Sequence, residues 1–354
     1  MNTKTSLYTL LGCVMLLAQG CASSWTLRTE QPEIALQWPY QPAKAKITYA
    51  MSIKGFSASN GSRSIVRTIV YGQGGDEKDS FGLPVAVATG RDSRMAVADM
   101  GLKCVHFYVP AEHRYVRLTE AGEAKITSPV SVIFDDELNL YVSDSVAARI
   151  FVFDPEGKYV RSIDQAGSDK LKRPTGIAYN HVRKLLYVAD TLANAVYAFN
   201  SKGQLEFSFG SRGDKQGQFN FPTHIFWSLK RILYITDSMN FRIETFDDDG
   251  KFLRSFGHHG DGFGDLARPK GIAADKDGVV YVADSLFDIV QLFSREGLYL
   301  LTLGKRGGDL AEFWMPSGIY IDDNGMLYVC DTYNRRIQVF RITENYSHDE
   351  IHTE

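Results

Sequence analysis

From residue 84 onward the apolar positions fall into short runs, each cut off by Gly, Asp, Asn or Pro. One series is Gly271-Ile272-Ala273-Ala274, Val280-Tyr281-Val282-Ala283, Ile289-Val290-Gln291-Leu292-Phe293 and Tyr299-Leu300-Leu301-Thr302-Leu303. Runs this short, rich in β-branched and aromatic residues, predict strands. No segment holds a helical apolar period for long, which excludes a solenoid of helices.

The series recurs. Pro84, Pro129, Pro174, Pro222, Pro269 and Pro316 open the units, and Asp99, Asp144, Asp190, Asp237, Asp284 and Asp331 end their second strands. Successive aspartates are 45, 46, 47, 47 and 47 residues apart. Four short strands per period of this size are the mark of propeller blades. The expected fold is therefore all-β, a six-bladed β-propeller of four-stranded antiparallel blades.

The last unit stops at its third strand, Ile337-Gln338-Val339-Phe340. A spare strand stands before the first unit, at Ile65-Val66-Arg67-Thr68-Ile69-Val70-Tyr71-Gly72. The expectation is that this N-terminal strand completes the last blade and removes two exposed edges. The ring with its entry strand then takes residues 46–342, leaving 21–45 as a Pro-stiffened tether and 343–354 as a polar tail.

Composition changes this picture little. Lys4 followed by an apolar stretch from Leu7 to Ala18 reads as a signal peptide over residues 1–20, too short to span a bilayer. A net charge of −3 argues against a broad nucleic-acid surface. Beyond the leader and Cys21 only Cys104 and Cys330 remain, too few for a disulfide framework, and they are read as structural thiols.

Two stretches, Asp331-Thr332-Tyr333-Asn334-Arg335-Arg336-Ile337-Gln338-Val339-Phe340 and Asp237-Ser238-Met239-Asn240-Phe241-Arg242-Ile243, are similar to the signature of the NHL repeat. The units at Asp99 and Asp144 depart from it by lacking the Asn. Trp38-Pro39-Tyr40-Gln41-Pro42 and Lys46-Ile47-Thr48-Tyr49 resemble the entry segment of secreted bacterial NHL lipoproteins. Leu17-Ala18-Gln19-Gly20-Cys21 resembles the bacterial lipobox. That resemblance implies lipidation at Cys21, and Ala22 after it implies the outer rather than the inner membrane. A diacyl anchor holds a protein to a membrane without a transmembrane helix.

The repeated aspartates suit strand-end turns, where a carboxylate accepts backbone N–H bonds. Asn194, Asn240, Arg242, Asn334 and Arg336 either brace those turns or offer surface donors. Acidic turns such as Asp247-Asp248-Asp249-Gly250 and Asp322-Asp323-Asn324-Gly325 lack an EF-hand ligand pattern and read as hairpin turns.

The long loops between fourth and first strands, Gly210 to Pro222, Gly257 to Pro269 and Gly304 to Pro316, are the better binding candidates. They carry Arg212, Lys215, His258, His259, Lys305, Arg306 and Trp314, while Phe219, Phe263 and Phe313 are expected to pack between blades. His224 stands in the slot held elsewhere by Ala86, Ser131, Gly176, Gly271 and Gly318, near the central channel. The related peptidyl-hydroxyglycine amidating lyases hold zinc on several channel histidines, but one histidine falls short of the roughly three protein ligands such a site needs.

The leading expectation is a monomeric, non-enzymatic envelope lipoprotein without metal or cofactor, binding a protein or glycan through the long-loop face. The alternative is a metal-dependent lyase or hydrolase working at the mouth of the central channel.

Overall fold

The computed structural model describes residues 24–59 and 77–343, and the signal peptide, Cys21 and the strand expected at 65–72 lie outside them. Five sheets are four-stranded and antiparallel, with strand order following chain order. They span 84–118, 129–163, 174–209, 222–256 and 269–303. Each is a propeller blade. Their first strands, with Pro316–Ile321 from the last unit, touch in cyclic order, and the last touches the first.

Pro316–Ile321, Met326–Asp331 and Arg336–Ile342 belong to a seven-stranded sheet, and the strand beside Arg336–Ile342 is Ile47–Ser59. Its register runs from Ile47 opposite Ile342 to Ile53 opposite Ile337. This corrects the expected closure at Ile65–Gly72. The longer, earlier strand fits because its inward residues meet those of the final unit: Tyr49 lies edge-on to Phe340 at 5.3 Å, and Ile53 is 1% exposed.

The expected tether at 21–45 is also partly sheet. Ser24–Glu30 and Gln37–Trp38 pair with Ile47–Ser59, as does Glu77–Ser80. Trp38 is buried against Phe340 at 5.8 Å. Apolar side chains in this segment gain more from covering the sheet than from staying solvated.

The core lies between neighbouring blades rather than within one. Phe107 and Val105 of the first sheet, for example, cluster with Phe134, Phe151 and Phe153 of the second. Sheets packed face to face this way bury both surfaces, which explains strands apolar at nearly every position, such as Leu185–Asp190. Across the seam Thr332 Oγ1 donates to the Pro84 carbonyl at 2.8 Å, and Tyr320 OH to that of Thr89 at 3.0 Å. Cys104 and Cys330 are free and buried.

The closing strand gives a direct test. Ile53→Asp places an unpaired carboxylate in a buried inter-blade layer and should destabilise the protein by about 3 kcal/mol or more. Thermal melting should show the loss, and a melt matching wild type would mean the ring does not depend on this strand.

Candidate functional site

Each second strand ends at its aspartate directly opposite the proline that opens the first strand. The loops that follow second and fourth strands therefore share one face. All six aspartates are fully buried. Asp284 accepts from the N–H groups of Ala267, Arg268 and Leu286, and Asp190 from those of Lys172, Arg173 and Ala193. A buried carboxylate so bonded satisfies loop N–H groups that the sheet leaves over.

Asn and Arg extend this into a clamp. Asn240 Nδ2 donates to Asp237 at 2.7 Å and to the Gly213 carbonyl at 2.9 Å. Arg242 donates to Asp237 and to the carbonyls of Asp214, Lys215 and Gln218. Asn334 and Arg336 hold the loop before Pro316 the same way, through Gly307, Asp309 and Glu312. Asn194 instead accepts from Phe221 N–H at the start of the next blade. These side chains brace the turns and are not surface donors.

The clamped loops fix what they expose. Phe219 and Phe313 are fully buried, but Phe263 is 86% exposed and leans on Tyr299. This corrects the expectation for Phe263. Leu266, not Phe263, makes the bridge that Phe219 and Phe313 make, and it takes the buried position.

Among the loop candidates, His258 meets Asp265 at 2.6 Å, Lys305 pairs with Glu312 at 3.2 Å, and Arg306 with Asp288 at 3.6 Å. His259 packs on Phe241 with ring centroids 4.4 Å apart. Arg212 and Lys215 are exposed, and Trp314 is half-exposed against Tyr333. These residues lie on one face but in separate loops, so they form a rim and not a single pocket.

A cavity of about 410 Å³ occupies the channel. Its walls include Arg231, Lys276, Asp322 and Asp323 from the turns between first and second strands, so it opens on the face opposite the long loops. Of the candidate binding residues only His224 lines it, at the inner end. The inner strands run so close there that a Cβ on Gly176, Gly271 or Gly318 would meet neighbouring backbone at 2.7, 2.3 and 2.4 Å. His224 fits because the strand beside it carries Gly271. Both its ring nitrogens are buried without a hydrogen-bond partner, and burial, aided by Lys270, pushes its pKa down to about 3. The ring is neutral at physiological pH.

A buried chain of polar groups went unnoticed in the sequence. In the first blade His106 Nδ1 meets Tyr115 OH at 2.6 Å, Tyr115 OH donates to Asp79 at 2.5 Å, and His106 Nε2 lies 3.3 Å from Asp99. No recurrent motif marks it, since Phe151, Tyr197, Glu244, Gln291 and Gln338 hold the equivalent third-strand position. The chain ties Glu77–Ser80 to the first blade, and none of its residues lines the channel cavity.

The fold places this protein among the β-propellers. Residues 313–340 match the family model described as NHL repeat, so the chain is a propeller that carries this repeat. No relative among functionally curated proteins matches the sequence. Among solved structures the chain resembles a streptogramin B lyase at 12% identity and TM-score 0.55, covering 73% of this chain and 93% of that one. A selenomethionine-substituted virginiamycin B lyase from Staphylococcus aureus matches at 12% and TM-score 0.57, covering 90% and 100%. A protein of unknown function from Bacteroides thetaiotaomicron matches at 15% and TM-score 0.56, covering 74% and 70%. At these identities the likeness shows the fold alone.

One clamp is incomplete. Gln291 and Gln338 each accept a loop N–H and donate to the carbonyls of Asp265 and Glu312. Glu244 accepts from Gly217 N–H through Oε1, but its Oε2 is buried without a partner. Only a protonated Glu244 would have a proton to donate there. Burial raises its pKa to about 7, against the lowering effect of Arg242. A pKa raised on folding adds stability that is complete below the ordinary value of 4.5 and lost as pH rises through about 7. Glu244→Gln should therefore remove that pH dependence and stabilise the protein at neutral pH by about 1–2 kcal/mol. Denaturant melts at acid and neutral pH would show it, and parallel pH profiles for variant and wild type would refute it.

Proposed function

We propose that this protein is a six-bladed NHL propeller, anchored by a lipid on Cys21 to the bacterial outer membrane, that binds an envelope protein or glycan as a monomer without catalysing a reaction. In this reading the seven-stranded sheet supplies the sixth blade. Its support is the ring of six inner strands in cyclic contact. The binding reading rests above all on the clamps: Asn240, Arg242, Asn334 and Arg336 hold loop carbonyls in place, so Arg212, Lys215 and Trp314 are presented on rigid loops. Pre-organised loops lose less conformational entropy on binding.

A second reading has one observation in its favour. His224 stands with free ring nitrogens at the end of the cavity, and two structural neighbours are named as lyases. No group of three His, Cys, Asp or Glu side chains among the described residues is placed to hold a metal ion. That keeps a metal-dependent lyase or hydrolase in second place. Stoichiometric metal in the purified protein would reverse the order.

Two outcomes are expected. Cys21→Ser should release the folded protein into the soluble periplasmic fraction, and a fatty-acid label persisting in the variant would defeat the anchor. Alanine at Arg212, His258, His259 and Arg306 together should leave folding intact and weaken capture of a crosslinked envelope partner several-fold or more. Unchanged capture by this variant, with loss on substituting Asp248 and Asp249, would place binding on the opposite face.

A further inference from the structure

At the long-loop end three cations stand at the openings of the two strands that flank the one carrying His224. Arg173 and Arg268 directly precede Pro174 and Pro269, and Lys270 directly follows Pro269. The strands they open, Pro174–Asn180 and Pro269–Ala274, lie on either side of Pro222–Trp227, which carries His224. The main chain at Arg173 and Arg268 is pinned by N–H bonds to Asp190 and Asp284. Those carboxylates are committed to backbone and are fully buried.

Among the described residues none of the three forms an ion pair. The charges acting on Lys270 are those of Arg268 and Arg173, both of its own sign, and together with burial, the larger cause, they hold its ammonium below the ordinary lysine range. The repeat does not require this. Val85, Val130, Thr175, Thr223 and Ser317 stand where Lys270 does, and none is charged. A fold gains nothing from gathering like charges in a partly desolvated mouth unless an anion joins them.

His224 gives a second, independent indication. Its enclosed, neutral ring has two nitrogens without partners. Orphaned polar atoms of this kind are destabilising, and those retained in a native structure commonly await water or ligand. A neutral imidazole can donate one N–H to an oxyanion.

We propose that this end of the channel binds a phosphate group, held by Lys270, Arg173 and Arg268, with the His224 ring donating from beneath. The proposal rests on the long-loop face being the binding face and adds the chemistry of what it binds. A phosphate suits the site better than a carboxylate, because its two charges and several terminal oxygens match three cations and one N–H donor.

The test is calorimetric titration of the full mature protein with inorganic phosphate and with glycerol 3-phosphate, against a chloride control. Binding should weaken as salt is raised. It should be weaker by about tenfold, or about 1.4 kcal/mol, in Lys270→Met. The same variant should melt above wild type when phosphate is absent, because it removes a charge held against two others. A weaker-binding variant that melts higher has not simply unfolded. Replacing Arg173 and Arg268 by Met, both exposed, should weaken binding without touching the half-buried lysine.

The alanine variant at Arg212, His258, His259 and Arg306 should bind phosphate as wild type does, so failure of the rim reading and failure of this site are seen separately. Tighter binding of glycerol 3-phosphate would mark a phosphoester as the natural ligand, and equal binding the free ion. Absence of binding by both probes, or full binding by both Lys270→Met and the double arginine variant, would overturn the proposal.

Discussion

The structure depends on a buried carboxylate that accepts backbone N–H bonds at the end of each second strand. A strand that stops at the rim leaves amide protons pointing away from the ladder, and the loop arriving from the fourth strand brings more. Asp144 takes up four such N–H groups, those of Thr127, Ser128, Val146 and Ala147, and the Thr127 hydroxyl as well. Burying an ionised group is tolerable only with this much hydrogen bonding. One side chain thus ties first strand, second strand and long loop together in every unit. The hydroxyl that follows it reaches the next unit: Thr191 to the Pro222 carbonyl, Ser238 to that of Pro269, Thr332 to that of Pro84. The last of these crosses the seam of the ring.

That interaction also explains what was legible in the sequence. A requirement repeated in every blade leaves a repeated residue, so the Pro and Asp series and the strand order within each blade could be read directly. Closure happens once and leaves no repeat. The stretches 65–72 and 47–59 are both rich in β-forming residues, and nothing in either sequence says which meets Arg336–Ile342. The choice is made by packing of Tyr49, Ile53 and Trp38 on the final unit, information that is spread along the chain. Phe263 failed for a related reason. Counting loop residues from Gly257 puts Leu266 at the position of Phe219 and Phe313, but the aromatic type drew attention to the wrong residue.

The candidate site was less legible still. His224 stood out because it breaks a slot otherwise held by small residues. Lys270 breaks its own slot as clearly, but a lysine near a strand start looks like a solvated surface charge until the ring is closed. Only then does Arg173, from another unit, act on it together with Arg268, its neighbour in the chain. The rim residues showed the opposite pattern. His258, Lys305 and Arg306 looked free in the sequence and are paired with Asp265, Glu312 and Asp288 in the fold.

A repeat protein therefore separates two kinds of residue with some clarity. Positions that keep their type around the ring serve the ring, and their chemistry is used up in holding it. Asp99 and its five counterparts are fully buried and bonded to their own loops, whatever their charge suggests. Positions that depart from the repeat answer to something else: His224 in the glycine slot and Lys270 one residue nearer the loop face, both on inner strands, and Glu244 on a third strand where two units have glutamine. The departure at Glu244 is confined to a loop clamp and carries an internal cost through its unpaired oxygen. The departures at His224 and Lys270 fall on adjacent inner strands, and each carries a cost, unpaired ring nitrogens in one and a partly desolvated ammonium in the other. Two costs at one place, neither required by the scaffold, point to a ligand more strongly than either does alone.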